Sequence, residues 1–334
     1  MMTARCYDRR KVRPRLCRIN MSNIALPSWT ITRASLFRWR IGPSSRDAPS
    51  ITIFNDHIAD ADAVVSRLLP FDILCVMRER TPMTRAVIER LPKLRLIAST
   101  ATQNASIDIK AAEERGIKVV HTGYSSAPTV ELTWALILAG ARHLVDENAS
   151  LRGGGWQRFI GEDLGGRTLG LLGLGNIGSA VAQIGKAFGM TVIAWSQNLT
   201  AERAGAAGAV LVSKDELFRQ ADVVSIHLVL SGRTRGLVGR AELALMKPTA
   251  RLVNTSRGPI VVEADLLEAL QKGKIADAAV VFDQEPLPLD HPFRSLPNLL
   301  ATPHIGYVSR GLYERFYRDT VDNIAKWLDS QASP

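Results

Sequence analysis

The 334-residue chain is poor in cysteine, with three in all: Cys6, Cys17 and Cys75. An odd number, with no pair at metal-ligand spacing, makes neither a disulfide framework nor a zinc site. No metal is expected, and a reducing compartment, the cytoplasm, fits best. Long apolar runs are also missing. None reaches the roughly 20 residues that span a bilayer, so no membrane-crossing helix is expected. The first twenty residues lack the apolar stretch of a secretory signal. They are read as an extension whose removal, with a start at Met21, leaves the fold and any activity intact. No repeat of fixed period appears.

Acidic residues are scarce at one end. Residues 1–50 hold eleven of the 42 Lys and Arg but two of the 32 Asp and Glu. The net charge of +10 therefore sits mostly on the amino-terminal segment, and the remaining body is close to neutral. A nucleic-acid footprint needs basic charge gathered on a folded face. This distribution argues against a nucleic-acid partner, and heparin retention with and without residues 1–20 would decide it.

From Ser50 onward short apolar strands alternate with amphipathic helices, which implies parallel sheets with helices on their faces. Strands are expected at 51–54, 72–77, 94–99 and 118–121, with helices at 61–69, 83–91 and 107–115. Pro128 then opens a helix to about His143 whose run ELTWALILAGA is apolar nearly all round. That marks a buried helix. A second series of strands follows at 168–172, 191–195, 209–212, 223–227, 251–254, 278–282 and 299–302. A long amphipathic helix, 311–330, ends the pattern. The reading is a basic extension over 1–49, disordered in part, a first domain of 50–123 plus 307–330, and a second of 124–306.

The strand TLGLL runs into Gly173-Leu174-Gly175-Asn176-Ile177-Gly178, a GxGxxG turn. Alone the motif is weak. Here a strand precedes it, a helix with apolar Val181, Ile184 and Phe188 follows, and the strand TVIAW completes a βαβ unit. In that setting Gly173 permits the tight turn, Gly175 admits a pyrophosphate, and Gly178 lets helix and strand pack closely. Free N–H groups at the helix start complete an anion site. The acid that would grip a ribose 2′-hydroxyl after the second strand is lacking. Ser196, Gln197 and Asn198 stand there, with Arg203 a few residues on, so NAD and NADP both remain open.

Together with MKPTARLVNTSRGPIVVE (246–263), DQEPLP (283–288) and ATPHIG (301–306), the GLLGLGNIG loop makes residues 50–330 similar to the D-isomer-specific 2-hydroxyacid dehydrogenase family. The resemblance implies an α/β fold of two Rossmann-like or flavodoxin-like domains with parallel sheets and an active site in the interdomain cleft. It implies hydride transfer between NAD(P)H and a small 2-oxo or D-2-hydroxy acid. It implies a catalytic trio, Arg257, Glu285 and His304, with Arg257 also binding substrate. The residue types suit the chemistry. A histidine titrating near neutrality can protonate a nascent alkoxide, a carboxylate can orient it, and a guanidinium fork can hold a carboxylate. The resemblance also places His227 and Thr255 near the cofactor and sets Ala101 and Thr102 in a substrate-binding loop where a glycine is usual. It implies a homodimer through the cofactor domain, to which the apolar helix at Glu131–Ala141 would contribute. His57, His121, His143 and His291 are read as structural or exposed.

One departure bears on activity. The stretch Ala278–Pro286 is one residue shorter than the family pattern, and the strand aspartate is missing. A one-residue loss flips the facing of a strand. The expectation is that the strand re-registers or that Glu285 points away from His304. The second outcome would leave a catalytically weak or inactive dinucleotide-binding sensor of the same superfamily, the alternative kept open.

Overall fold

A computed structural model describes residues 18–22, 50–54 and 56–332. It divides into two compact units, Met1–Ser125 with Ser309–Pro334, and Ser126–Val308.

The first unit carries a five-stranded parallel sheet in the order β2-β1-β3-β4-β5. Its strands are β1 (Arg18–Ser22), β2 (Ser50–Ile53), β3 (Ile73–Val76), β4 (Leu96–Ser99) and β5 (Lys118–His121). This is the 2-1-3-4-5 order of flavodoxin-like sheets. Helices α1 (Ala61–Leu68), α2 (Arg85–Ile88) and α3 (Ile109–Glu114) belong to its crossovers. Asp60 and Asp108 cap α1 and α3 by accepting the amides of Ala63 and Ala111, both at 2.8 Å. Val64, Leu68, Leu74, Ile88 and Ile97 lie in the core beneath. Strand β1 corrects the expectation that regular structure begins at Ser50. It pairs with β2 on one side and β3 on the other, so it is an internal strand. A start at Met21 removes three of its five residues. The basic residues around it mask a strand too short to announce itself by pattern. The rest of residues 1–49 lies outside the described residues.

The second unit carries a six-stranded parallel sheet in the order β11-β10-β9-β6-β7-β8. Its strands are β6 (Thr168–Leu172), β7 (Thr191–Trp195), β8 (Val210–Leu211), β9 (Val223–Ile226), β10 (Arg251–Asn254) and β11 (Asp277–Val280). Numbered within the unit this is 3-2-1-4-5-6, the dinucleotide-binding order. Helix α4 (Ala127–Ala141) buries Val130, Thr133, Trp134 and Ile137, as its composition requires. Helix α5 (Leu144–Arg152), unanticipated, buries no residue and so carries no periodic apolar stripe. Helices α6 (Asn176–Ala187), α7 (Ala201–Ala206), α8 (Lys214–Gln220), α9 (Arg240–Leu245) and α10 (Glu263–Gln271) follow, and α11 (Arg310–Ala332) returns to the first unit. The strand expected at 299–302 is absent. Leu299 makes a single bridge to Ala278, with Leu300 N–H donating to the Ala278 carbonyl at 2.8 Å. Ala301 N–H then turns back to the Leu299 carbonyl at 3.0 Å, and the ladder ends there. No helix of the described residues is long and apolar enough to cross a membrane.

Candidate active site

In a doubly wound sheet the ligand crevice opens where strand order reverses, beyond the strand carboxyl ends. Here that point lies between β6 and β9, which are neighbours in the sheet. The GxGxxG turn leaves β6 and His227 follows β9. Gly173 has φ of +98°, and a Cβ there would lie 2.6 Å from the His227 carbonyl oxygen. Only glycine fits both demands. At Gly178 a Cβ would collide with the Gly173 carbonyl oxygen, so the helix starts against the turn. Gly175, by contrast, has open space around it. Ser179 N–H is bonded to the Gly175 carbonyl at 2.8 Å, which leaves the amides of Asn176, Ile177 and Gly178 as the unpaired first turn of a twelve-residue helix.

The His227 ring is enclosed. Its Nε2 lies 2.9 Å from Ser225 Oγ, and its buried Nδ1 meets no partner among the described residues. Burial pushes its pKa down to about 4, so it is neutral near pH 7. An open turn, a helix start with free amides and an orphaned imidazole nitrogen at the switch point together fit a dinucleotide. Ser196 is half-buried just past β7, and the Trp195 carbonyl accepts the Gly173 amide at 2.9 Å, so Ser196 adjoins the turn. Gln197, Asn198 and Arg203 are exposed.

The loops after β10 and β11 bring Arg257, Glu285 and His304 together. Asn254, 1% exposed, shapes the first of them. Its Oδ1 accepts Ser256 N–H at 3.0 Å and its Nδ2 donates to the Arg257 carbonyl at 2.9 Å. Ser256 Oγ donates to the Ile226 carbonyl at 2.7 Å, fixing the turn that presents Arg257. After β11, Glu285 turns back. Its Oε1 accepts Phe282 N–H at 3.2 Å, and its Oε2 lies 2.9 Å from His304 Nδ1. A carboxylate can only accept, so Nδ1 carries the proton in this bond. Burial raises the Glu285 carboxyl pKa, but the His304 bond and charge, the Phe282 amide and the Arg257 charge hold it below the ordinary value. The residue is therefore ionised, with Arg257 close enough to be felt. Of the two outcomes the shortened stretch allowed, the first holds: the chain re-registers locally and Glu285 meets His304.

Sequence reading named Thr255 but missed Thr129 and Thr133, which tie these loops together with it. Thr255 Oγ1 lies 2.8 Å from Thr133 Oγ1, Thr133 donates to the Thr129 carbonyl at 2.8 Å, and Thr129 donates to the Gly306 carbonyl at 3.0 Å. All three side chains belong to buried residues. Helix α4 so links the Arg257 turn to the His304 loop. No local motif signals the link, because Thr129 and Thr133 read as ordinary helix residues. Beside this chain lies a small pocket whose walls include Leu132, Leu136, Thr255, Val281, Thr302 and Ile305. Val281 stands in the region where the family pattern has its aspartate.

In the first unit Ala101 is buried and adopts φ of +67° after β4. Its amide is not open to a ligand; it donates to Thr122 Oγ1 at 2.8 Å. Thr102 and Gln103, the next two residues, are exposed, and their amides make no hydrogen bond among the described residues. No cluster of metal-ligand type occurs among the described residues.

Comparison with known proteins agrees with this architecture. The model of the D-isomer specific 2-hydroxyacid dehydrogenase, NAD binding domain, matches residues 134–306. A glyoxylate reductase of Aeropyrum pernix is 40% identical over 259 residues, covering 74% of this chain and 77% of its own. A D-3-phosphoglycerate dehydrogenase of Methanocaldococcus jannaschii is 42% identical over 250 residues, but the match spans only 47% of that longer protein. The crystal structure of a phosphoglycerate oxidoreductase from Vibrio cholerae O395 superposes with a TM-score of 0.86 at 36% identity, covering 94% of this chain and 99% of the other. The chain belongs to the D-isomer specific 2-hydroxyacid dehydrogenase family and is an oxidoreductase that uses NAD or NADP to interconvert a 2-hydroxy acid and its 2-oxo acid.

Proposed function

We propose that the chain reduces a small 2-oxo acid of the glyoxylate or hydroxypyruvate size class, with Arg257, Glu285 and His304 as its catalytic residues. The observation that carries this is the 2.9 Å bond between Glu285 and His304 Nδ1, which leaves Nε2 of the ring free to exchange a proton with substrate. A nicotinamide dinucleotide held at the Gly173–Gly178 turn would supply or take the hydride. His304 gives a proton to the oxygen as the alkoxide forms, and takes it back in the oxidative direction. Glu285 stabilises the charged ring and fixes its tautomer. The Arg257 fork pairs with the substrate carboxylate and polarises the adjacent carbonyl. Gly173, Gly175, Asn176, Ile177, Gly178, His227 and Thr255 form the dinucleotide side, with Ser196 and Gln197 at the adenosine ribose. The exposed amides at Thr102 are a carboxylate-binding loop, and residues 50–123 with 307–330 serve as the substrate domain. The sensor alternative loses its ground, because its motive was a misaimed Glu285.

The same reading includes NADPH as an accepted cofactor, since Ser196 offers no charge to repel a 2′-phosphate. It includes a homodimer. Helix α4 buries one side and leaves Ala127, Glu131 and Ala135 exposed, so it stays a candidate contact, joined by the stretch 144–160. Leu144, Val145, Leu151, Trp156 and Ile160 are all at least half exposed there, an apolar patch that burial against a second copy would cover. A cytoplasmic location follows from the cysteine usage. A screen of glyoxylate, hydroxypyruvate, pyruvate and larger 2-oxo acids with NADH and NADPH, read at the nicotinamide absorbance, tests the reaction. Turnover that His304→Asn abolishes supports it. Absence of turnover with every acid, while dinucleotide still binds, refutes it.

A further inference from the structure

The loop carrying Glu285 lies outside the sheet ladder, so the sheet does not fix its course. Glu263, the first residue of α10, grips it at two points. Its Oε2 accepts the Asp283 amide at 3.3 Å, and its Oε1 lies 3.0 Å from His291 Nε2. His291 can make that bond in one state of the neutral ring. Its Nδ1 accepts the Phe293 amide at 3.2 Å, which puts the proton on Nε2 for donation to the carboxylate. The ring meets Phe293 edge-on at 4.9 Å, and Phe293, 2% exposed, lies 6.2 Å from Phe282. One carboxylate thus closes residues 283–291 into a loop with Glu285 inside it. The same carboxylate begins the helix that follows the Arg257 turn. Gly258, next to Arg257, runs so close to Phe282 that a Cβ would collide with the Phe282 carbonyl. The Glu285 loop and the Arg257 segment are therefore stapled together. Burial and then the Glu263 charge raise the Asp283 carboxyl pKa.

We infer that Glu263 and His291 are positioning residues that hold Glu285 against His304 Nδ1 and so set the tautomer of the acid–base histidine. Neither makes a described contact with His304. The groups that face His304 are the Glu285 carboxylate and the Tyr307 ring at 6.1 Å, and Arg257 acts through Glu285. Those around the clasp are Asp283 and the charge of Arg235. The inference rests on the proposed pairing of Glu285 with His304.

The test is long-range proton–nitrogen NMR on the full-length protein with 15N-labelled histidine, of which there are six, with His304 assigned through His304→Asn. The wild type should show His304 protonated on Nδ1 when neutral, and Glu285→Ala should move it toward the Nε2–H form. Glu263→Gln, isosteric but unable to accept both bonds as a carboxylate does, should move it the same way, as should His291→Ala. Both should lower kcat on the order of 10-fold, with dinucleotide Kd from protein fluorescence unchanged. His291→Gln, whose amide can replace the Nε2 donor, should restore tautomer and kcat together. If Glu263→Gln and His291→Ala keep the wild-type tautomer, the clasp is merely structural and the inference is overturned. A wild-type His304 already on Nε2–H overturns the pairing and the inference with it. A tautomer that responds as described in a protein that turns over no 2-oxo acid supports the clasp and sinks the assigned reaction instead.

Discussion

Mild acid should destabilise the protein through His227. In the unfolded chain its imidazole titrates near 6.5, whereas in the fold burial holds the pKa at about 4. Between those values the unfolded chain binds a proton that the folded chain refuses. Stability must therefore fall as the pH drops from 6.5 toward 4, and it is unaffected by this group above about pH 7. The gap, at about 1.4 kcal/mol per pH unit, amounts to about 3 kcal/mol by pH 4. That is a large share of the 5–15 kcal/mol that holds a typical domain folded. The control is His227→Gln, which can keep a bond to Ser225 Oγ but does not titrate. Urea unfolding of both proteins at intervals from pH 7.5 to 4 isolates the term from the other ionisable groups. The wild type should lose about 3 kcal/mol more than the variant over that range. Parallel pH profiles would refute the reasoning, and would mean that the ring takes up a proton in the fold as easily as in the open chain.

Ser196→Asp should favour NADH over NADPH by on the order of 10- to 100-fold in Kd, because the new carboxylate meets a 2′-phosphate but can bond a 2′-hydroxyl; an unchanged Kd ratio would move the ribose site elsewhere. Gly175→Val should fold with an unchanged thermal midpoint and lose dinucleotide binding, while Gly178→Ala should lower the midpoint itself, since its Cβ meets backbone; equal midpoints in the two variants would contradict the geometry. Ala101→Gly should stabilise the protein slightly, by about 0.5–1 kcal/mol in denaturant, because it relieves a left-handed alanine at φ +67°; a loss of stability would show that the methyl packs for more than the strain costs. Inserting Asp between Val280 and Val281 should lower kcat/KM at least 10-fold by pushing Glu285 off His304; a gain in turnover would mean that the native loop is the misaimed one.

Much of the fold was legible because buried parallel strands are apolar runs and their crossovers carry helix caps. Strands β5, β6, β7 and β10 fall where the sequence places them, residue for residue. What escaped did so for physical reasons. Strand β1 is five residues in a basic setting, and its place between β2 and β3 is decided by partners far along the chain. Helix α5 buries nothing in its own unit, so no periodic stripe marks it. At the candidate site the motif residues could be named one by one, but not what holds them. Thr129 and Thr255 stand 126 positions apart in the chain, and Glu263 and His291 stand 28 apart. A lone buried threonine or a lone histidine has no signature until its partner is beside it.

The shortened stretch before Glu285 shows where counting residues stops being a structural argument. The pleat has a period of two, so deleting one residue from a paired strand turns every later side chain in the ladder to the other face. That logic needs the ladder to continue. Here Val280 is the last strand residue, opposite Asn254, and Val281 N–H donates one final bond to the Asn254 carbonyl at 3.0 Å. Beyond it no partner strand dictates facing. Phe282 N–H meets Glu285 Oε1, Asp283 N–H meets Glu263, and the chain turns freely enough to bring Glu285 onto His304. The deletion is therefore absorbed in a loop whose direction is set by side-chain bonds. Its cost falls on the pocket wall instead, where Val280 and Val281 present methyl groups near Asn254 and Thr255. The Glu285–His304 contact survives while the lining beside it is apolar, so on the proposed reading the departure from the family pattern would bear on the cofactor side and leave the proposed acid–base pair in place.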